Sequence, residues 1–297
     1  MGAQLSSLFY YLKNVSYYCC SNTTAHESIS ESEESISESE ESISEDEDHE
    51  YVLEDKKILF TQDSKKRALL IGINYFNTNS ELSGCINDVI HLKEFLSENL
   101  YFDSKDILCM RDDYDFSNYL YPSYFNIINQ IDLLVEWANN NHNSEIWFSY
   151  SGHGSNITDY SGDELDNRDE VLCTVDNKYI KDDWLKTNFI NLLNKDVKLF
   201  ILIDACHSAT MCDLNQDLNK KIIMISGCKD NQTSADAYIR EEQEYRGALS
   251  YNFMNAWQHS FTMKEFHEKM CSQMYGKYTQ SSICSYTNAS LLDYHLC

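Results

Sequence analysis

The chain has 297 residues, 42% apolar and 13% aromatic, enough to build a sizeable core and too rich in both classes for a wholly disordered or collagen-like protein. A formal charge of −25 with a pI of about 4.5 argues against nucleic acid as a partner, because a polyphosphate surface repels an acidic protein. No apolar run approaches the roughly 18 residues that a membrane-spanning helix requires.

The chain opens Met1-Gly2-Ala3-Gln4-Leu5-Ser6, which fits the pattern for N-myristoylation at Gly2. One acyl chain holds a membrane only marginally, so Cys19 and Cys20 are the candidate second anchors. Residues 1–26 therefore form an N-terminal segment with two readings, peripheral membrane attachment or a coincidental match. Residues 27–55 hold 14 acids and no Lys or Arg, so more than half of the net charge sits in a tenth of the chain. Within them ESISESE, ESISESE and ESISEDE repeat a seven-residue unit. Each unit has one apolar residue where a coiled-coil seam needs two. A solvated, disordered spacer is expected.

The eleven cysteines are odd in number, irregularly spaced and without a CxxC pair. That pattern favours reduced thiols in a cytoplasmic protein over a disulfide framework or a zinc site.

From residue 56 a folded domain is expected, with strands and helices in alternation. Arg67–Ile73 reads as a buried strand, Cys85–Leu100 as a helix and Asp106–Met110 as a strand. Tyr124–Ala138 has helical spacing, Glu145–Tyr150 is a strand, and Val171–Val175 a short one. Asp182–Leu193 is a short helix, while Val197–Ile203 and Ile222–Ser226 are strands. Gly247–Gln258 and Thr262–Met274 are helices, and Leu291–Leu296 is a last strand. This alternation predicts an α/β fold with a mostly parallel sheet sandwiched between helices. Sites in such sheets lie beyond the carboxyl ends of the strands.

Two segments sit at such ends: Ser151-Gly152-His153-Gly154 follows one strand and Asp204-Ala205-Cys206-His207-Ser208 follows another. A Cys and a His at neighbouring strand ends form a nucleophile and its general base. His153 and Cys206 are assigned these roles. His207 is a rival base, but a residue adjacent to Cys206 in an extended loop points elsewhere. Backbone N–H groups of Gly154 and Cys206 are the candidate oxyanion donors.

These segments, with RALLIGINY (67–75), ELSGCINDV (81–89), GDELDNRDE (162–170), SGCKDNQTSAD (226–236) and GALSYNFMNAW (247–257), resemble the metacaspases, the caspase-like cysteine peptidases of clan CD. The motifs run in family order from about Lys66 to Leu296. The short interval after Cys206 resembles the type I layout, with a large-subunit-like part at about 66–215 and a small-subunit-like part at about 220–297. The His-to-Cys separation also agrees with the roughly 50 residues found in caspases.

The resemblance implies cleavage after Arg or Lys, with a basic-residue pocket on Cys85, Asp88, Ser151 and Asp204. The chemistry agrees: charged hydrogen bonds from two carboxylates would favour Arg over a neutral side chain by roughly 10²–10⁴-fold. It implies calcium activation through Asp169, Asp182, Asp183 and Asp213, with Asp163, Glu164 and Asp166 as alternative ligands, and no organic cofactor. Scattered carboxylates suit a hard cation, although no EF-hand loop is present. Self-processing is a further expectation. Lys220-Lys221 is the first candidate, with Lys56-Lys57 and Lys65-Lys66-Arg67 behind the acidic spacer, each in a segment expected to be exposed. The partners implied are protein substrates with Arg or Lys at the cleaved bond, met by a monomer. The chain departs from the family at Ala209, at Asp213-Leu214-Asn215 and at Gln280-Ser281-Ser282-Ile283. An inactive caspase-like scaffold is the rival reading, and a membrane-tethered acidic adaptor a third.

Overall fold

The computed structural model describes residues 17–19, 57, 59–158, 168–206, 208, 211–212, 214, 218–227, 236–259, 261–278 and 280–297. Gly2, Cys20, the acidic repeat, Asp163, Glu164, Asp166, His207, Ala209, Asp213 and Asn215 lie outside them, as does the side chain of Cys19.

The strands of the centre are apolar on both faces, so they need cover on both sides. β1 is Tyr17–Cys19, β2 Lys66–Gly72, β3 Ile107–Arg111 and β4 Glu145–Ser151. β5 (Gly154–Thr158), β6 (Arg168–Cys173) and β7 (Tyr179–Lys181) follow. Then come β8 (Lys198–Asp204), β9 (Lys221–Ser226), β10 (Asp236–Ile239), β11 (Glu244–Gly247) and β12 (Ile283–Tyr286). One seven-stranded sheet runs in the order β1-β12-β9-β8-β4-β2-β3. The five strands from β9 to β3 are parallel, and β12 and β1 close one edge antiparallel. β5-β6-β7 and β10-β11 form two small antiparallel sheets.

The helices divide between the faces. α1 (Cys85–Asn99), α4 (Ala248–Ala256) and α5 (Met263–Met274) cover one face, and α2 (Tyr124–Asn139) the other. α2 is joined there by the short α3 (Asp182–Leu185) and the wider π turn Lys186–Ile190. Along β4 the alternation is direct. Ile146, Phe148 and Tyr150 enter the α2 layer, while Trp147 enters the other, stacked on Phe200 at 4.3 Å with Phe253 edge-on at 5.7 Å. Each such side chain contributes about 1.5–3 kcal/mol by leaving water. No helix among the described residues is long and apolar enough to cross a membrane.

The parallel-sheet expectation holds, and the alternation of elements is the observed one. One expected strand is not there: within Leu291–Leu296, residues up to Asp293 close a 3-10 helix, Ala289–Asp293. Asn288 caps it by accepting from the Ser290 N–H at 3.0 Å, which starts a turn where extended chain was expected. The last strand is instead Ile283–Tyr286, four residues with a serine among them. The helix expected over Asp182–Leu193 keeps only Asp182–Leu185 as α-helix. The π turn that follows buries Leu185, Phe189 and Ile190 together.

Candidate active site

β2, β4 and β8 end level: Gly72 pairs with Ser151, and Ser151 with Asp204. His153 lies two residues beyond β4 and Cys206 two beyond β8. Both therefore leave neighbouring strands at the same height, at the carboxyl edge of the sheet. The Gly152 N–H donates to the Asp204 carbonyl at 3.3 Å, tying the two exits together. Gly154 packs so closely on the Cys206 carbonyl that a Cβ there would overlap it. Only glycine allows that approach. Cys206 is half-buried.

Both the imidazole and the backbone of His153 are held. His153 Nε2 lies 2.6 Å from the Ser80 carbonyl oxygen. A carbonyl only accepts, so Nε2 carries the proton and Nδ1 keeps the lone pair. The ring packs on Tyr75 at 4.6 Å between centroids. The His153 N–H donates to the Tyr75 hydroxyl at 2.9 Å. The Tyr75 and Tyr150 hydroxyls lie 2.8 Å apart, and Tyr150 also donates to the His153 carbonyl at 2.8 Å. Burial pushes both phenols well up, so they stay neutral.

Tyr75 is itself constrained. Its φ of 54° is left-handed, an uncommon conformation for a bulky residue. The Asp112 carboxylate holds it there, accepting from the Asn74 N–H at 2.9 Å and the Tyr75 N–H at 2.6 Å. Burial raises the pKa of Asp112 against those amide bonds. Cys173, whose carbonyl accepts from the same phenols, has its thiol pushed up to about 11 by burial and by Cys206 nearby. It is a thiol at neutral pH and no rival nucleophile. Sequence reasoning assigned no role to Tyr75, Ser80, Asp112, Tyr150 or Cys173. Tyr75 closed a quoted motif and Tyr150 ended an expected strand, and that was the available signal.

The four pocket residues divide. Asp88 and Cys85 are on the first turn of α1, and Ser151 and Asp204 end β4 and β8. All four are buried. Asp88 accepts from Ser151 Oγ at 2.7 Å, from the Gly247 N–H at 3.0 Å and from Arg246 Nε at 3.1 Å. Asp204 accepts from the Ser250 N–H at 2.9 Å and Ser250 Oγ at 3.0 Å. Gly247 lies between the two acids, and a Cβ there would strike both carboxylates. Burial, followed by repulsion from Asp204, raises the Asp88 pKa to about 7 against the pull of Arg246.

Of the carboxylates implied for calcium, Asp169 is on β6 and Asp182 and Asp183 open α3. Asp169 and Asp182 are buried, and Asp169 Oδ1 has no hydrogen-bond partner. Oxygen donors with a buried orphan atom fit a hard cation. Lys181 reaches the same place: its ammonium pairs with Asp169, which raises the lysine pKa, with Asp183 and Asp182 adding to the effect. The three acids do not converge on one point. Among the described residues, the ligand atoms that do so within 4.8 Å are those of His91, Glu242 and Glu244.

Of the basic segments expected to be exposed, Lys57 and Lys65 are exposed, Arg67, Lys220 and Lys221 are half-buried and Lys66 is buried, while Lys56 lies outside the described residues. Lys220 Nζ donates to the carbonyls of Ile190, Asn191 and Leu193 at 2.6–2.8 Å, and Lys221 begins β9. Lys66 is buried at the start of β2 beside Glu145. In both places the backbone belongs to a strand and the ammonium needs carbonyl or carboxylate partners.

Residues 66–215 match the metacaspase, peptidase C14 domain family. Metacaspase-1 of Eremothecium gossypii is 31% identical over 286 residues, covering 72% of this chain and 62% of that protein. Metacaspase-1 of Pyricularia oryzae is 41% identical over 153 residues, 50% of this chain and 38% of its own. Metacaspase-2 of Arabidopsis thaliana is 31% identical over 221 residues, 65% and 52% of the two chains. The chain thus spans less than two thirds of the length of these relatives. A crystal structure of a Geobacter sulfurreducens protein has the same fold, with a TM-score of 0.59 at 19% identity, over 78% of this chain and all of that one.

Proposed function

The chain belongs to the metacaspase family, and from that premise we propose that it is a cysteine endopeptidase cleaving after Arg or Lys, with Cys206 as nucleophile and His153 as general acid and base. The observation that carries this reading is the shared register of β4 and β8, which brings both residues off the sheet at one level. The imidazole tautomer fits the task, since Nδ1 is the nitrogen left to take the thiol proton.

The Cys206 proton passes to His153 Nδ1, and the thiolate attacks the scissile carbonyl carbon. Negative charge gathers on the carbonyl oxygen, where N–H groups of Gly154 and Cys206 are the candidate donors. His153 returns its proton to the leaving amine, and a thioester remains on Cys206. Water then gives a proton to His153, attacks the thioester and releases the acid, restoring the thiol. The Tyr75–Asp112 assembly fixes the imidazole plane throughout. Thiol chemistry requires a reducing medium, which fits a cytoplasmic protein.

Calcium activation is part of the proposal. Asp169, Asp182 and Asp183, with Asp213, would hold the ion, whose charge would offset the carboxylates gathered on β6 and at the start of α3. Lys181 must leave Asp169 for that to happen. Lys181→Ala should therefore bind calcium more tightly in direct titration, and an unchanged affinity would remove Lys181 as a competitor.

The deciding experiment is hydrolysis of Arg-, Lys- and Asp-ended fluorogenic peptides by the full chain, with and without millimolar calcium, alongside Cys206→Ala. Cleavage after Arg or Lys that disappears in the variant is expected. No cleavage by folded, reduced protein with calcium present would leave an inactive scaffold.

A further inference from the structure

Arg246 is among the largest fully buried side chains of the protein. A buried guanidinium is costly unless its N–H groups are matched. Here Nε donates to Asp88 Oδ1 at 3.1 Å and the next amide, of Gly247, donates to both Asp88 oxygens at 3.0 Å. On its outer side Arg246 donates to Glu242 at 2.8 Å, with Glu244 at 3.6 Å. Ser151 fills the remaining side of Asp88 at 2.7 Å. The carboxylate thus has a charged donor, an amide and a hydroxyl, all from its own chain. Little acceptor capacity remains for a substrate cation.

We propose that Arg246 is a positioning residue that helps saturate Asp88 from within, so that a basic side chain at the cleaved bond is read through Asp204. Asp88 then shapes the pocket by fixing Gly247 and Ser151, and Asp204, at the end of β8, supplies the discriminating charge. This rests on the reading of these acids as the basic-residue pocket. The division of labour between them goes beyond it.

The groups facing Asp88 are Asp204 from β8, Ser151 from β4, and Arg246 and Gly247 from β11. Behind Arg246 stand Glu242 and Glu244. His91 is bound to Glu244 at 2.5 Å with Glu94 at 4.0 Å on its other nitrogen. Without Arg246, Asp88 would keep the repulsion of Asp204 and lose its attraction, so its proton would leave only at higher pH.

Two arms test this on the full chain. The first uses peptides ending in Arg or in citrulline, an uncharged amide of nearly the same shape. Asp204→Asn should cut the Arg-over-citrulline ratio of kcat/KM by about 100-fold. Asp88→Asn should leave that ratio within about threefold while lowering kcat/KM for both peptides roughly tenfold. In Arg246→Gln the acidic limb of kcat/KM should move up by about one pH unit, and Arg246→Lys should restore it. Loss of discrimination in Asp88→Asn equal to that in Asp204→Asn would overturn the proposal, as would an unmoved limb in folded Arg246→Gln.

The second arm needs no activity. The melting temperature of Arg246→Gln should fall progressively further below wild type as pH rises from 7 to 9. A gap that stays constant with pH would overturn the proposal even if no peptide is cleaved. Failure of the wild type to cleave after Arg would instead sink the peptidase reading alone. Should Arg246→Gln not fold, Arg246→Lys is compared with wild type in both arms. Unchanged limbs and gaps in Arg246→Lys with Asp88→Asn still discriminating support the proposal, and loss of discrimination in Asp88→Asn refutes it.

Discussion

The two ends of the parallel sheet both bury carboxylates and surround them with different chemistry. At the amino end Glu145 accepts from Lys198 at 2.8 Å, from the Thr61 N–H at 2.9 Å and from Ser64, with Lys66 at 3.5 Å. One anion there has two cations and two hydroxyls, Thr61 supplying the second, and nothing in the arrangement invites a ligand. At the carboxyl end two acids flank a glycine, and an arginine pairs with Asp88. The first cluster closes the domain by tying Leu59–Ser64 to the sheet. The second keeps like charges together, which raises the pKa of Asp88. Repulsion retained in a buried place is a mark of a functional site.

Substitutions at the two ends should therefore fail in different ways. The largest effect is expected from His153→Ala, which should lower kcat by about 10³-fold or more with little change in denaturant midpoint. Retention of activity would move the base elsewhere. Glu145→Ala should do the reverse, removing the anion that Lys66 and Lys198 share and costing about 3–5 kcal/mol of stability. The activity per folded molecule should hold, and a selective loss of kcat would break the contrast between the ends.

The pH dependence of stability sharpens the same contrast. The folded pKa of Asp88, about 7, lies above its unfolded value. Between the two the folded state holds the extra proton, so stability falls as pH rises from about 4 to about 7. Asp88→Asn should flatten that slope in melting curves, and an unchanged slope would assign it to other groups. Buried His267, with its pKa lowered to about 4, acts oppositely and adds stability as pH rises from 4 to 6.5. Comparing Asp88→Asn with its parent in a His267→Gln background removes the His267 contribution and isolates that of Asp88.

Smaller effects follow at single bonds. Tyr75→Phe removes the hydroxyl that accepts from the His153 N–H and should lower kcat about tenfold with KM little changed. A KM effect alone would point to the pocket instead. Thr262→Ala at the capping box of α5, beside the chain that covers the amino end, should cost about 1 kcal/mol and leave kinetics unchanged.

Much of the fold was legible because buried parallel strands are continuous apolar runs. VKLFILI and EIWFSY could hardly be anything else, and α1 and α2 show helical spacing over four turns. The small sheets were largely hidden. β5 is half-exposed along most of its length, so it shows no alternation, and β10 and β11 have four residues each. Leu291–Leu296 misled because apolar content alone does not separate a strand from a capped helical turn.

By itself the amino-acid sequence determined the order of strands and helices, the acidic N-terminal segment and the placing of His153 and Cys206 after strands. These follow from local periodicity and from residue types that only certain chemistry requires. The tertiary structure alone decided which partners meet. Arg246 lies 158 positions from Asp88, and Tyr75 lies 78 from His153. Such pairs leave no period in the chain, because they depend on register between strands and on how closely a glycine lets two backbones approach.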